Sequence, residues 1–463
     1  MAVLLLNPPN PKGFQANRDF MGNYGMLNTR PGIVLPPLHL IQMGGTVPAE
    51  EVFFLDAAAE GLSLDETRER IRNRPPDISI VLTSTPTFDE DCQMARWLKS
   101  ISLKPVYLYG PHPAHVQDEA FEKSDADGIV VGYTPKTLPA LLAGPKPALE
   151  EIIYPGHRKD PPPVAPAFNL DDLPYGCWEK APLYRYRFNL HEPIPFATMR
   201  TSLGCVYTCA YCPYVVAEGN RFLAMSSDRI YSEMEYLSSK FGVRYILFRD
   251  LLFTAQKKRI ELLCQRLIEH PLPLKWRCET STQHLTSNLV SLLARAGCTG
   301  INLGVETIDD LSASEMDLIS KRRDLDHLQA MFRSCREHGI KANALFVFGF
   351  PADQRSGILK TIAFAKNLDA DTVQFCAAVP YPGTQLFRLA TQEGLIETSK
   401  WEDYSSLRPV MHTRHLAKKD VQELIRSGLR SFYLKPTRIK RLAGHPADLL
   451  RRTKAFVNFY LRR

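Results

Sequence analysis

Short apolar runs alternate with helix-periodic segments along most of this chain. Residues 3–6, 52–56, 77–83, 105–109 and 128–131 are apolar nearly throughout, which is the pattern of strands buried on both faces. Helical segments lie between them. One opens at Pro36-Pro37, with proline in its first turn. Residues 65–73 follow Ser63 and carry Glu66 at capping-box spacing, and residues 92–100 form a third helix. This alternation predicts a doubly wound parallel sheet over residues 1–145. Ligands of such sheets sit at the carboxyl ends of the strands. Those ends here are Asn7-Pro8, Thr83-Ser84-Thr85, Gly110-Pro111-His112 and Gly132-Tyr133.

Residues 146–190 lack periodicity and are rich in proline, as is Pro145 just before them, so they read as an ordered linker. A second alternation fills residues 191–395. Its strands fall at 196–201, 245–248, 275–278, 300–304, 341–348 and 372–378, with helices at 227–241, 256–269, 287–296 and 325–338. Six β/α units of this length predict a partial (β/α)6 TIM-type barrel, with functional groups at the strands' carboxyl ends. Residues 396–463 form a basic region, helical from Lys418 onward. The fold class is therefore α/β, with a short helical tail.

Composition narrows the class without changing it. The 463 residues are 44% hydrophobic and 23% charged, as in soluble globular proteins. No apolar run is long enough to span a bilayer, so no integral membrane segment is expected. The first residues lack the basic n-region and cleavage site of a signal peptide. Ten cysteines without framework spacing suit a reducing, cytoplasmic setting. The net charge is +7, yet residues 414–463 carry 14 Lys/Arg against 3 Asp/Glu. Such a tail suits an acidic partner, an electron donor or a membrane surface, with a solvated helical face as the plain alternative. No nucleic-acid-binding module accompanies the charge, so nucleic acid is not an expected partner.

Candidate chemistry centres on Gly204-Cys-Val-Tyr-Thr-Cys-Ala-Tyr-Cys-Pro213. Cys205, Cys209 and Cys212 offer three thiols in one loop; the next cysteine, Cys264, is far along the chain. Structural zinc wants four Cys/His ligands, and the loop contains no histidine. A [4Fe-4S] cluster held by three thiolates keeps one iron open to another ligand. The run resembles the signature of the radical S-adenosylmethionine (SAM) superfamily. That resemblance implies SAM chelating the open iron and an external electron donor such as a flavodoxin or ferredoxin. It also implies either a 5′-deoxyadenosyl radical or methyl transfer through cobalamin.

Polar residues stand at the later strand ends: Arg249-Asp250, Arg277-Cys-Glu279, Asn302 to Glu306, Gly349 and Tyr381-Pro-Gly-Thr384. By the resemblance, Glu306 holds the ribose or amino group of SAM, Gly349 gives adenine access to backbone, and Tyr211 stacks nearby. Asp250 and Tyr381 join this cofactor-binding set. Glu279, Tyr214 and Tyr133 are acid–base candidates, and Arg249 with Glu279 equally suits a structural ion pair. An amino-terminal sheet followed by such a barrel is similar to the cobalamin-binding radical SAM class, which includes carbon and phosphorus methylases and the magnesium-protoporphyrin ester cyclase. Thr83, Gly110 and Gly132 would then line cobalamin.

The Asp-x-His-x-x-Gly motif of some cobalamin proteins is absent. Gly110-Pro-His-Pro and Gly132-Tyr-Thr-Pro also stand where Gly-Gly and Gly-Glu are usual. Two enzyme readings stay open: cobalamin-dependent methylation of a small molecule, and cobalamin-independent dehydration, cyclisation or rearrangement. A redox sensor is a third reading, disfavoured by the polar strand ends. The remaining cysteines read as buried packing, with Cys376 set apart at the end of the last strand.

Overall fold

Strands that read as continuous apolar runs pair at the centre of a six-stranded sheet. In the computed structural model these are β1 (Val3–Asn7), β2 (Val52–Asp56), β3 (Ile78–Leu82), β4 (Val106–Tyr109) and β5 (Gly128–Val130), and a sixth strand, β6 (Ile152–Ile153), joins them. The structure describes residues 1–11, 16–18, 26–27, 33–144, 146–160, 168–188, 192–318 and 324–435. The sheet order is β2-β1-β3-β4-β5-β6. β1 lies between two parallel neighbours, Leu5 opposite Phe54 on one side and Ile80 on the other. Every residue of β1 and β3 is buried, which is why neither alternates in polarity. Strand order reverses between β1 and β3, and this sets a crevice at their carboxyl ends.

That crevice is braced by a fully buried pair. Arg18 Nη2 meets Asp91 Oδ1 at 2.7 Å, with both side chains at zero exposure. Arg18 also donates to Thr87 Oγ1 and to the carbonyl of Pro8, at the ends of β3 and β1.

Helices cover the sheet: α1 (Leu38–Gly44), α2 (Leu64–Asn73), α3 (Phe88–Ile101) and the short α4 (Pro111–His115) among them. The Ser63–Glu66 capping box forms as expected. α3 starts four residues before the sequence-predicted position 92, because Asp89, Glu90 and Asp91 in its first turn suit a helix amino terminus. β6 runs antiparallel to β5 and lies inside the segment read as linker. Two residues give no periodicity, so this strand had no sequence signal. Of the linker prolines, Pro145, Pro161, Pro162, Pro163 and Pro166 lie outside the described residues, as does the basic tail from 436.

The second sheet contains β7 (Phe196–Met199), β8 (Tyr245–Phe248), β9 (Lys275–Thr280), β10 (Cys298–Glu306), β11 (Lys341–Phe348) and β12 (Thr372–Ala377). All six are parallel and neighbours in chain order. Helices α5 (Pro213–Glu218), α6 (Ser227–Phe241), α7 (Lys257–Glu269), α8 (Ser287–Arg295), α9 (Leu325–Glu337), α10 (Arg355–Asn367) and α11 (Gln385–Gln392) fall between and after the strands. α12 (Lys418–Tyr433) packs back on β12, where Tyr433 Oη bonds both the amide and the carbonyl of Val373. One buried apolar cluster joins Leu5 and Tyr109 of the first sheet with Met199 and Phe248 of the second.

Candidate active site

The cysteine loop leaves β7 through a two-residue hairpin arm, Ser202–Leu203, paired with Leu223–Ala224. Gly204 turns the chain at φ 72, and a Cβ there would lie 2.2 Å from the Arg221 carbonyl oxygen. Only glycine fits this turn. Its amide donates to Glu218 Oε2 at 2.9 Å, so the end of α5 holds the residue before Cys205. Cys212 stands at the amino-terminal cap of α5 with Pro213 in the first turn. The loop is also held from the opposite side. The amide of Ala210 donates to Met316 O at 3.0 Å, Leu386 donates to Ala210 O at 2.9 Å, and Thr208 Oγ1 bonds Asp317.

Cys205 and Cys209 are buried and Cys212 is half-buried. Cys209 joins an apolar cluster with Ala210, Met316, Val347 and Phe350, against which Tyr211, Cys212 and Cys376 pack. Among the described residues no three Cys, His, Asp or Glu side chains converge on one metal ion. A cubane gives each thiolate its own iron, and the all-sulfur donor set of Cys205, Cys209 and Cys212 fits that group.

Tyr211 and Glu306 meet, as the sequence reading grouped them. The Tyr211 hydroxyl bonds Glu306; burial first, then the Glu306 charge, pushes the phenol well above its usual range. The Tyr211 ring lies 5.3 Å from that of Phe350. Glu306 ends β10 at φ 65, where the register with β11 slips by one residue. A left-handed non-glycine residue on a bulge is a strained conformation, and such strain clusters at functional sites. Gly349 has φ 95 and donates to Asp353 Oδ2 at 2.7 Å; a Cβ there would approach Val421 of α12 at 3.1 Å.

Other sequence candidates are turned to different partners. Asp250 is buried and accepts from Thr201 Oγ1 at 2.7 Å, from the Thr201 amide and from Ser202 Oγ. It clamps the strand-to-hairpin turn, and burial raises its carboxyl pKa. Tyr381 packs with Val379, Tyr404 and Val410. Tyr214 is half-buried on α5. Thr83 donates its hydroxyl to Tyr109 O at 3.0 Å, tying β3 to β4.

The inner face of the second sheet is polar at one level. Arg249, Glu279, Asn302, Asn343 and Thr372 come into register across five consecutive strands or strand ends. Glu279 Oε1 accepts from Arg249 at 3.2 Å and from Asn302 at 2.9 Å. Asn302 Oδ1 accepts from Arg277 at 2.8 Å and from Asn343 at 3.3 Å, and Thr372 donates to Asn343 at 2.8 Å. Gly300 leaves room for the Arg277 guanidinium, whose Cζ would sit 3.2 Å from an added Cβ. An Arg249–Glu279 ion pair is one of two readings of the sequence; that Asn302 and Asn343 extend it into a row is not legible there.

The carboxyl edges of the two sheets face each other. A Cβ on Gly383, after β12, would strike the His115 ring of α4 at 2.4 Å. Trp401 lies 4.7 Å from the His112 ring and donates to Glu119 Oε1 at 3.1 Å. Tyr133, after β5, bonds Arg200, after β7, at 3.0 Å. Gly110 holds φ 143, a backbone that favours glycine. Gly132, just before Tyr133, is half-buried on the same edge. His112 is fully buried, with Nδ1 3.2 Å from Thr85 Oγ1 and Nε2 lacking a hydrogen-bond partner among the described residues. Burial drives its pKa down to about 3, so the imidazole is neutral. Arg200 and Glu218 escaped the sequence reading, since neither belongs to a motif nor a periodic face.

Residues 199–365 match the model of the Radical SAM superfamily, so the chain carries a radical SAM domain. An uncharacterized methyltransferase of Pyrococcus horikoshii is 27% identical, over 98% of this chain and 97% of its own length. The anaerobic magnesium-protoporphyrin IX monomethyl ester cyclase of Rubrivivax gelatinosus is 22% identical, over 94% of this chain and 78% of its own. Among solved structures, the radical SAM methyltransferase TsrM from Kitasatospora setae, with tryptophan and a SAM analogue bound, superposes at TM-score 0.68 and 17% identity, covering 94% of this chain and 90% of its own. The cobalamin-dependent radical enzyme OxsB, with aqua-cobalamin and SAM bound, gives TM-score 0.71 at 13% identity, covering 98% and 72%. These likenesses establish a shared mixed α/β fold with parallel sheets. Among the described residues, no helix is long and apolar enough to cross a membrane.

Proposed function

We propose that this chain, a radical SAM protein across residues 199–365, is an enzyme that methylates an unactivated carbon of a small molecule with the help of cobalamin. The observation that carries the reading is the opposition of two carboxyl edges, one bearing the three-thiol loop and the other the glycine- and hydroxyl-rich ends of β3, β4 and β5. Methyltransferases among the relatives and cobalamin in the neighbours of like fold support it. We assign residues 1–145 as the cobalamin-binding-type domain, 146–190 as linker, 191–395 as the partial barrel and 396–463 as the basic helical region.

Cys205, Cys209 and Cys212 would hold a [4Fe-4S] cluster, and the edge formed by Thr83, Gly110 and Gly132 would hold cobalamin. When bound, the cluster supplies an electron and an open iron for SAM, and cobalamin supplies a methyl carrier. The chemistry of the edge suits such a carrier: Gly110 holds a positive φ, Gly132 is half-buried, and the buried Nε2 of neutral His112 lacks a hydrogen-bond partner among the described residues.

The protein's part is placement and shielding. Tyr211 and Glu306 orient SAM, Glu306 through a carboxylate held at the bulge and Tyr211 through a ring backed by Phe350. Gly349, at φ 95, is the position where adenine would approach backbone. Asp250 keeps the loop's stem in place through Thr201 and Ser202. The row from Arg249 to Thr372 presents fixed polar groups to the substrate. Glu279 and Tyr214 are the acid–base candidates, and Tyr381, packed with Val379, Tyr404 and Val410, belongs to the cofactor-binding set. Electrons arrive from a small reducing protein of the flavodoxin or ferredoxin kind.

The test is anaerobic purification with hydroxocobalamin supplied, reconstitution of the cluster, and measurement of bound cobalamin and of SAM products under dithionite. About one cobalamin per chain, with S-adenosylhomocysteine formed, supports the reading. Release of 5′-deoxyadenosine from a chain that retains no cobalamin would overturn methyl transfer.

A further inference from the structure

One buried polar chain crosses between the two domains and ends at the cysteine loop. Tyr133 follows β5 and Gln42 sits on α1, both in the amino-terminal domain. Their oxygens meet Arg200 Nη2 at 3.0 and 3.4 Å, and Tyr133 donates its hydroxyl proton to Gln42. Arg200 follows β7 and turns its other terminal nitrogen, Nη1, to Glu218 Oε1 at 3.6 Å. That contact is an ion pair too long for a hydrogen bond. The second oxygen of Glu218 accepts the amide of Gly204. The arginine and the glutamate side chain are both nearly excluded from solvent, at 5% and 7%.

A guanidinium is suited to such a junction because its nitrogens are held in one rigid plane. A shift of Tyr133 or Gln42 therefore turns the plane and moves Nη1 against Glu218. Glu218 cannot follow solvent, so its motion passes to Gly204, whose amide it holds next to Cys205. The 3.6 Å gap is the compliant step in this chain.

We propose that Arg200 is a positioning residue that couples the loop after β5 to the pose of the cysteine loop, so that the amino-terminal edge sets how well SAM is held at the cluster. The inference rests on the radical SAM reading, in that SAM binds beside Cys205, Cys209 and Cys212. It does not rest on cobalamin.

The experiment is a double-mutant cycle in the cluster-loaded full chain. Tyr133→Phe removes one hydroxyl in the first domain, and Glu218→Gln neutralises the other end. Iron content, SAM dissociation constant and the change in the reduced cluster's electron paramagnetic resonance signal on adding SAM are measured for both singles and the double. Each single should weaken SAM binding about 5–30-fold at unchanged iron content, within the usual span of coupling energies. The double should lose little more than the worse single, because both changes cut the same chain. Gln42→Met removes an acceptor of the same nitrogen and should reproduce Tyr133→Phe. Arg200→Lys should fail to restore the coupling, since one ammonium cannot span both partners.

Wild-type SAM affinity in Tyr133→Phe, or losses that simply multiply in the double, would overturn the proposal. So would a Tyr133→Phe chain that loses iron while Gln42→Met binds SAM normally. A wild-type chain that binds no cobalamin leaves this coupling standing and removes only the methyl-transfer reading.

Discussion

Replacing Gly204 by alanine should unseat the cysteine loop, and the size of the effect follows from two terms. The first is backbone: φ is 72 at this residue, and left-handed backbone costs a non-glycine residue roughly 1–2 kcal/mol. The second is steric. The new Cβ would stand 2.2 Å from Arg221 O, 2.9 Å from Arg221 C and 3.2 Å from Gly219 O. All three are backbone atoms of the segment between α5 and the paired arm, so no side chain can swing aside. The hairpin must open by about 1 Å to reach ordinary contact, which would break the Gly204–Glu218 bond. An added loss of about 1–3 kcal/mol follows from the buried carboxylate oxygen left without its donor. Gly242 is the matched control: its φ is 64, and nothing lies within 4 Å of an added Cβ. Gly242→Ala therefore carries the backbone term alone. The assay is iron and sulfide per chain after anaerobic reconstitution, with thermal melting in parallel. Gly204→Ala should load well under half the iron of wild type, while Gly242→Ala loads fully and melts only slightly lower. Equal iron in the two variants would refute the reasoning, because the steric term would then have no consequence at the loop.

Cys205→Ala, Cys209→Ala and Cys212→Ala should each abolish SAM cleavage and the cluster's visible absorbance; SAM cleavage surviving in any one would displace that thiol from the site. Arg18→Met should cost about 3–5 kcal/mol, read by chemical denaturation, because it strands Asp91 buried without its partner. A double change, Arg18→Met with Asp91→Leu, should recover much of that loss, and no recovery would mean the pair is not what braces the crevice. Asp56 gives the pH dependence. Burial, only partly offset by hydrogen bonds from Ala59, Tyr186 and Asn7, raises its carboxyl from 3.8 to about 6. The folded chain thus binds a proton more readily than the unfolded one, so this contribution to stability is present at low pH and is lost as pH rises from about 4 to 6. Its ceiling is on the order of 3 kcal/mol, and Asp56→Asn should flatten the stability slope over that window.

Residues whose sequence pattern and spatial role coincide were legible before the structure. Apolar runs became β1 and β3 because burial on both faces leaves no alternation to read. Ser63 and Glu66 became a capping box because the motif acts within one helical turn. Tyr211 is singled out by its place in the cysteine loop and Glu306 by its place at a strand end, and the structure brings the two into contact. What stayed hidden has no local signature. β6 is two residues long, and its pairing with β5 depends on the fold already present. The inner polar row depends on register across separate strands, and a shift of one residue would have sent Asn302 to the helix side.

Asp250 shows why position at a strand end underdetermines a residue's task. The sequence placed it among the groups that touch a cofactor, as it placed Glu306. Both stand at carboxyl ends of strands in the same sheet, with β9 between them. The difference lies in what surrounds each carboxyl. Three donors from Thr201 and Ser202 close around Asp250, and an adjacent buried Arg259 bonds the carbonyl of Thr201 at 2.9 Å. A carboxyl with that many internal partners has little capacity left for a ligand. Glu306 instead sits on a bulge at a strained φ, facing the tyrosine that precedes the last cysteine. Strain there is a cost that packing alone does not require. The two residues therefore divide the work: Asp250 fixes the stem from which the cysteine loop projects, and Glu306 is held where the loop's own tyrosine can reach it. Glu306→Gln should then weaken SAM binding while iron loading stays normal, and Asp250→Asn should lower iron loading itself; the reverse pattern would exchange their roles.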